Sequence, residues 1–190
     1  MNISVETIEP GQTSALALHL ASQGIRDQVG AMLSYEAWLL DNDNYEAWLA
    51  LLAPDIRYVA PVRRKIANEN IDLATIDTIP SISAHFNDGL MQLQMRVKRF
   101  RTGHNHYDRP AALTRRVVGA PVLLGWNDEA GEARVSSSFL MIRAREEREE
   151  ALFAGGREDI WRRTNDQEWL LARRMISLNH HIVPPLSILF

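Results

Sequence analysis

Apolar residues along this chain follow two periodicities. In the first half they recur near the helical period: Ile25, Val29, Met32, Leu33, Leu39 and Leu40 predict one long amphipathic helix. Asp41-Asn42-Asp43-Asn44 breaks that pattern. Asp43 and Glu46 have capping-box spacing, which predicts a second, short helix burying Tyr45, Trp48, Leu49 and Leu52. Pro54 is expected to end it, because the residue before a proline avoids helical geometry. A strand is predicted over 55–64, with Ile56, Tyr58 and Ala60 on one side, then a long loop over 67–82. A third helix is predicted over 83–101. Its stripe is Phe86, Leu90, Leu93, Val97 and Phe100, and Arg96, Lys98, Arg99 and Arg101 crowd its last turns.

The second half reads as strands. They are predicted over 114–124 (with a bulge near Gly119 or Pro121), 133–145, 151–163 (with a bend at Gly155-Gly156) and 168–179. A hairpin loop over 125–131, a charged turn over 146–150 and a turn over 164–167 connect them as an antiparallel meander. Helices followed by such a run of strands predict an α+β fold, with a strongly curved antiparallel sheet coned around about three N-terminal helices. Residues 1–23 read as an N-terminal extension and 24–190 as a single domain.

Composition narrows the function classes. A net charge of −3 gives no general attraction to nucleic acid or an anionic membrane. No apolar run approaches the length of a membrane span, and the first residues carry Glu6 and Glu9 rather than a basic start. The expected location is the cytoplasm. Cysteine is absent, which excludes disulfides, thiolate nucleophiles, zinc–thiolate sites and ordinary iron–sulfur clusters within this chain. Of 21 basic residues only Lys65 and Lys98 are lysine; arginine is the cation enriched at interfaces, although a GC-rich genome would produce the same bias.

Several constellations carry possible chemistry. His104, His106 and Asp108 alternate, so on a strand they would share a face, as in a non-haem iron triad. Gly103 and Pro110 bracket them, and solvent or interface contacts are the plainer expectation. His180-His181 are adjacent and would face opposite ways. Asp41, Tyr58 and His85 could build an acid–base pocket; a turn aspartate, a partly buried tyrosine and a helix-end histidine are the plainer alternative. Ser136-Ser137-Ser138 lacks the glycine-rich elbow of a hydrolase serine. The pairs Arg115-Arg116, Arg162-Arg163 and Arg173-Arg174 lie on predicted strands, so each should send one guanidinium to each face.

The run Ser34-Tyr35-Glu36-Ala37-Trp38-Leu39-Leu40-Asp41, then Tyr45-Glu46-Ala47-Trp48-Leu49 and Asp55-Ile56-Arg57-Tyr58, resembles the opening of bacterial aromatic-ring-hydroxylating dioxygenase beta subunits. The order continues through Asp108-Arg109-Pro110, Thr114-Arg115-Arg116-Val117-Val118, Phe153-Ala154-Gly155-Gly156-Arg157-Glu158-Asp159 and Ala172-Arg173-Arg174-Met175 to Leu189-Phe190. The piece ending in Gly156-Arg157-Glu158-Asp159 is the most specific. Gly119 and Asn179 depart from the family, which often has Asn and Asp there.

The resemblance implies a cone-shaped nuclear-transport-factor-2-like, cystatin-like fold related to scytalone dehydratase. It implies a non-catalytic structural subunit, with no catalytic, cofactor or metal residues of its own. A Rieske 2Fe–2S cluster and a mononuclear Fe(II) would belong to a partner alpha subunit, in a hexamer of three alpha and three beta chains built on a beta homotrimer. Arg115, Arg157, Asp159, Arg174 and Phe190 are expected at subunit contacts. The alternatives are a stand-alone dehydratase or isomerase of the same fold, using Asp41, Tyr58 and His85, or a small-aromatic-binding protein with a pocket in the cone.

Overall fold

A computed structural model of the chain describes residues 3–4, 23–61, 84–102, 112–145, 149–179 and 189. Among the described residues three helices and eight strands occur in the order β1 (Ile3–Ser4), α1 (Gln23–Asp41), α2 (Tyr45–Leu49), β2 (Leu52–Pro61), β3 (Ala84–Asp88), α3 (Leu90–Thr102), β4 (Leu113–Val118), β5 (Val122–Asn127), β6 (Glu132–Arg145), β7 (Glu149–Arg163) and β8 (Trp169–Leu178). All eight strands form one sheet ordered β1-β5-β6-β7-β8-β2-β3, with β4 also paired to β6. The α+β expectation holds.

The frame is the long hairpin of β6 and β7, paired in unbroken register from Glu132↔Arg162 to Arg145↔Glu149. On its other edge β6 meets β5 along its first half and β4 along its second, because Gly119-Ala120-Pro121 divides what the sequence pattern suggested was one strand. Proline cannot donate to a ladder, so a break falls there. The sheet is mixed rather than a pure meander: β2 runs parallel to β8, with Tyr58 opposite Arg174.

Three other local expectations change. Residues 84–88 are a strand, not the start of the third helix; Phe86 pairs with Ala60 of β2, and the helix begins only after Gly89. Pro54 lies inside β2 instead of ending a helix, since α2 stops at Leu49. The α2 N-cap is Asn44, without a side-chain cap bond, whereas Asp43 adopts φ 55° and accepts a hydrogen bond from the Tyr45 hydroxyl at 2.7 Å. The loop predicted over 67–82 lies outside the described residues.

Val29, Leu33, Glu36, Leu39 and Leu40 form the buried face of α1. That stripe and Trp48 of α2 pack with the sheet's inner side chains, among them Tyr58, Phe86, Val135, Phe139, Phe153, Trp161 and Leu171, in one continuous core. Alternation along β6 and β7 puts Val135, Ser137 and Phe139 with Arg157, Asp159 and Trp161 on that inner face.

Candidate functional site

The inner face carries a charged cluster that sequence periodicity did not reveal. Register places Asp88, Tyr58, Arg174, Asp159 and Val135 side by side across β3, β2, β8, β7 and β6. Arg174 is fully buried. Its Nε and Nη2 donate to the two oxygens of Asp159, each at 2.8 Å. Its Nη1 and Nη2 donate to the two oxygens of Glu36 at 2.7 and 2.8 Å. The indole N–H of Trp48 donates to Glu36 at 3.0 Å. Arg157, one step along β7, brings Nη1 to 3.6 Å from Glu36 and sets its guanidinium beside the Phe139 ring. Two carboxylates and two guanidinium groups leave the cluster formally neutral.

The cations are not equally served. Burial opposes the charge on Arg174, but Asp159 and Glu36 outweigh it and hold the guanidinium well above its usual range. Burial and the neighbouring Arg174 depress Arg157, and the pull of Glu36, Asp159 and Tyr58 does not make up the difference. Burial would raise the Glu36 carboxyl; Arg174, then Arg157 and Trp48, overcome this and leave it below the ordinary carboxylate range.

Arg157, Asp159 and Arg174 were expected at subunit contacts. In the protomer they lie inside, at 3%, 0% and 0% exposure: Arg174 is bonded to Asp159 and Glu36, and Arg157 faces Glu36. Arg115 is exposed on β4, its Nη1 3.4 Å from the Asp41 carbonyl. Phe190 lies outside the described residues.

Of Asp41, Tyr58 and His85, the first two are engaged with other groups. Asp41 accepts the Arg116 backbone N–H at 2.8 Å and is ion-paired to the Arg116 guanidinium, so its carboxylate is already committed. The Tyr58 ring is enclosed by Trp48, Phe86 and the Arg174 guanidinium. His85 lies half-buried on β3, at the irregularity between the pairs Ala60↔Phe86 and Pro61↔Ala84. Among the described residues there is no group of three His, Cys, Asp or Glu placed to hold a metal. His104, His106, Asp108, His180 and His181 lie outside the described residues. Without cysteine, this chain cannot ligate a Rieske cluster.

The splitting of the arginine pairs is as expected. Arg116 turns inward to Asp41 and donates to the Leu189 carbonyl at 2.6 Å, while Arg115 turns out. Arg162 bonds Glu132 and Asp55, whereas Arg163 lies over the rings of Trp126 and Trp169. Glu158 accepts from Arg134 at 2.9 Å.

The outer side of the sheet presents a different surface. Register forms three rows across β4, β6 and β7: Val117–Leu140–Ala154, Arg115–Ile142–Leu152 and Leu113–Ala144–Glu150. Leu113, Val117 and Leu152 are 78%, 67% and 51% exposed, and Leu140 and Ile142 are also open. Apolar side chains thus dominate this exposed face, with Arg115 between Leu113 and Val117, and large exposed apolar patches are characteristic of contact surfaces. Glu36 and this face were both missed in the sequence. Glu36 had a signal: with Val29, Leu33 and Leu40 it falls on the apolar helical stripe, where a carboxylate needs a buried partner.

Helices packed on one mixed sheet, with a buried ionic cluster and an apolar outer face, define a small α+β domain. The family model "Ring hydroxylating beta subunit" matches residues 35–185. The biphenyl 2,3-dioxygenase subunit beta of Rhodococcus jostii (strain RHA1) is 30% identical over 165 residues, covering 84% of each chain. Two solved structures share the fold. Naphthalene 1,2-dioxygenase with indole bound in the active site aligns with TM-score 0.74 at 20% identity, over 87% of this chain and 86% of that one. A protein described as ntf2-like with a cystatin-like fold, from Novosphingobium aromaticivorans, aligns with TM-score 0.53 at 14% identity, over 90% and 92%. This chain belongs to the family of ring-hydroxylating dioxygenase beta subunits.

Proposed function

We propose that this chain is the structural, non-catalytic subunit of a Rieske-type oxygenase that hydroxylates aromatic rings in the cytoplasm. The redox centres, a Rieske 2Fe–2S cluster and a mononuclear Fe(II), would sit in an alpha subunit. The assembly would contain three of each chain, with the beta chains forming a trimer. One observation carries this reading: the aligned apolar face of β4, β6 and β7, with Leu113, Val117, Leu140, Ile142 and Leu152 open to solvent. Such a face is costly on an isolated domain and useful on a subunit. Two further features support it. Lack of cysteine removes one redox centre from the chain, and Asp41, the carboxylate of the acid–base alternative, is bound to Arg116.

The test is co-purification with the cognate alpha subunit. The complex should contain both chains, turn over an aromatic substrate and retain its iron on the alpha chain, while the isolated beta chain turns over nothing. Robust turnover by the isolated chain would overturn the reading.

A further inference from the structure

Arg157 faces an acidic partner on one side only. Its Nη1 faces Glu36 at 3.6 Å, while Nε and Nη2 are buried and have no hydrogen-bond partner. Nε and Nη2 form the edge with which a guanidinium takes a carboxylate side-on, two parallel N–H bonds to two oxygens. On the adjacent strand Arg174 uses this same edge to hold Asp159. Opposite Arg157 on β6 stands Ser137, also buried, with its hydroxyl unpartnered. Two unpartnered donors of a buried cation thus lie across the ladder from an unpartnered hydroxyl. Buried donors without acceptors are costly.

We propose that the Nε–Nη2 edge of Arg157 and the Ser137 hydroxyl form a binding site for a small carboxylate on the inner face of the sheet. The occupant would accept two parallel bonds from Arg157 and one from Ser137, beside the Phe139 ring. Electrostatics agree. Both cluster carboxylates are hydrogen-bonded to Arg174, and Arg157 is the cation whose charge its surroundings under-compensate. Glu36 against Nη1 repels a second anion, so binding is weak and selective for a planar acid that reaches all three donors.

The probe is formate, the smallest carboxylate. The full-length protein is titrated with sodium formate against sodium chloride at equal ionic strength, and the Tm is followed. A ligand that binds only the folded state raises Tm saturably. The expected result is a saturable rise with formate beyond chloride, with affinity reduced about tenfold in Ser137→Ala, the scale of one hydrogen bond to a charged group. Arg157→Lys keeps the charge but loses the fork and should abolish the effect. If that variant does not fold, Ser137→Ala decides alone. A formate response equal to chloride, or unchanged affinity in Ser137→Ala, overturns the site. A crystal structure grown in formate should place a planar group within hydrogen-bond distance of Nε, Nη2 and Oγ, and water alone at those atoms overturns it.

Discussion

Arg174 holds Glu36 through two hydrogen bonds, Nη1 to Oε1 at 2.7 Å and Nη2 to Oε2 at 2.8 Å, across 138 positions of sequence. The contact ties the first helix to the last strand. Since Arg174 also grips Asp159 on β7, one guanidinium fixes α1, β7 and β8 together. Taking charges out of water is expensive, so the cluster adds little net stability, but removing one member leaves the others buried and unpaired.

Glu36→Gln should therefore destabilise the fold by about 3–5 kcal/mol, the usual cost of breaking a buried ion pair. The amide keeps the size but presents donors toward Arg174 and Trp48. Urea unfolding would measure it, and a loss below about 1 kcal/mol would mean that the cluster relaxes or is hydrated.

The same carboxylate makes stability acid-sensitive. In the folded protein Glu36 titrates below its ordinary value of 4.5, because its arginine partners and Trp48 outweigh the burial that would raise it. A depressed folded value means stability present above the unfolded value and lost as pH falls through the folded one. The urea midpoint should drop as pH is lowered below about 4.5, and Glu36→Gln should flatten that limb. Asp55 is lowered too, chiefly by its hydrogen bond from Arg162, but the pair is solvent-screened and Asp55→Asn should change little.

Gly155 and Gly119 should respond very differently to alanine. A Cβ at Gly155 would lie 2.4 Å from the Ser177 carbonyl oxygen and 3.0 Å from the Phe139 ring, in the middle of the sheet. Neither neighbour can retreat, so Gly155→Ala should cost about 2–4 kcal/mol through overpacking and ladder distortion. At Gly119 the nearest atom would be 3.4 Å away, an ordinary contact, and Gly119→Ala should stay within about 1 kcal/mol. Thermal denaturation of the two variants checks the contrast.

On the outer face, Leu140→Lys or Ile142→Lys should leave the fold intact, since both side chains are already exposed. Either should abolish association with the partner by burying a charge in an apolar contact. Circular dichroism and size-exclusion chromatography with the alpha subunit separate the outcomes; an unchanged elution would remove this face from the assembly. Arg174→Ala would not test the interface, because it strips the buried Glu36 and Asp159 of their partner.

Much of the architecture was legible locally. The α1 stripe, the long β6–β7–β8 run and the division of Arg115-Arg116 and Arg162-Arg163 between two faces follow from side-chain period alone. Phe86 shows where that logic fails. Its spacing to Leu90, Leu93 and Val97 is helical, yet pairing with Ala60 of β2 pulls it into a strand. A short segment takes whichever structure its distant neighbours complete, and local spacing carries no information about those neighbours.

By itself the sequence determined the class of fold, the family and the exclusion of iron–sulfur ligation, because these rest on periodicity, motif order and the absence of cysteine. Only the tertiary structure decided that β2 lies parallel to β8, that Glu36 is buried, and that Arg157, Asp159 and Arg174 face inward while Leu113, Val117 and Leu152 face out. Those outcomes depend on contacts between residues far apart in the chain. Whether a charge on a strand meets water or its opposite is settled only when the strand register places one beside the other.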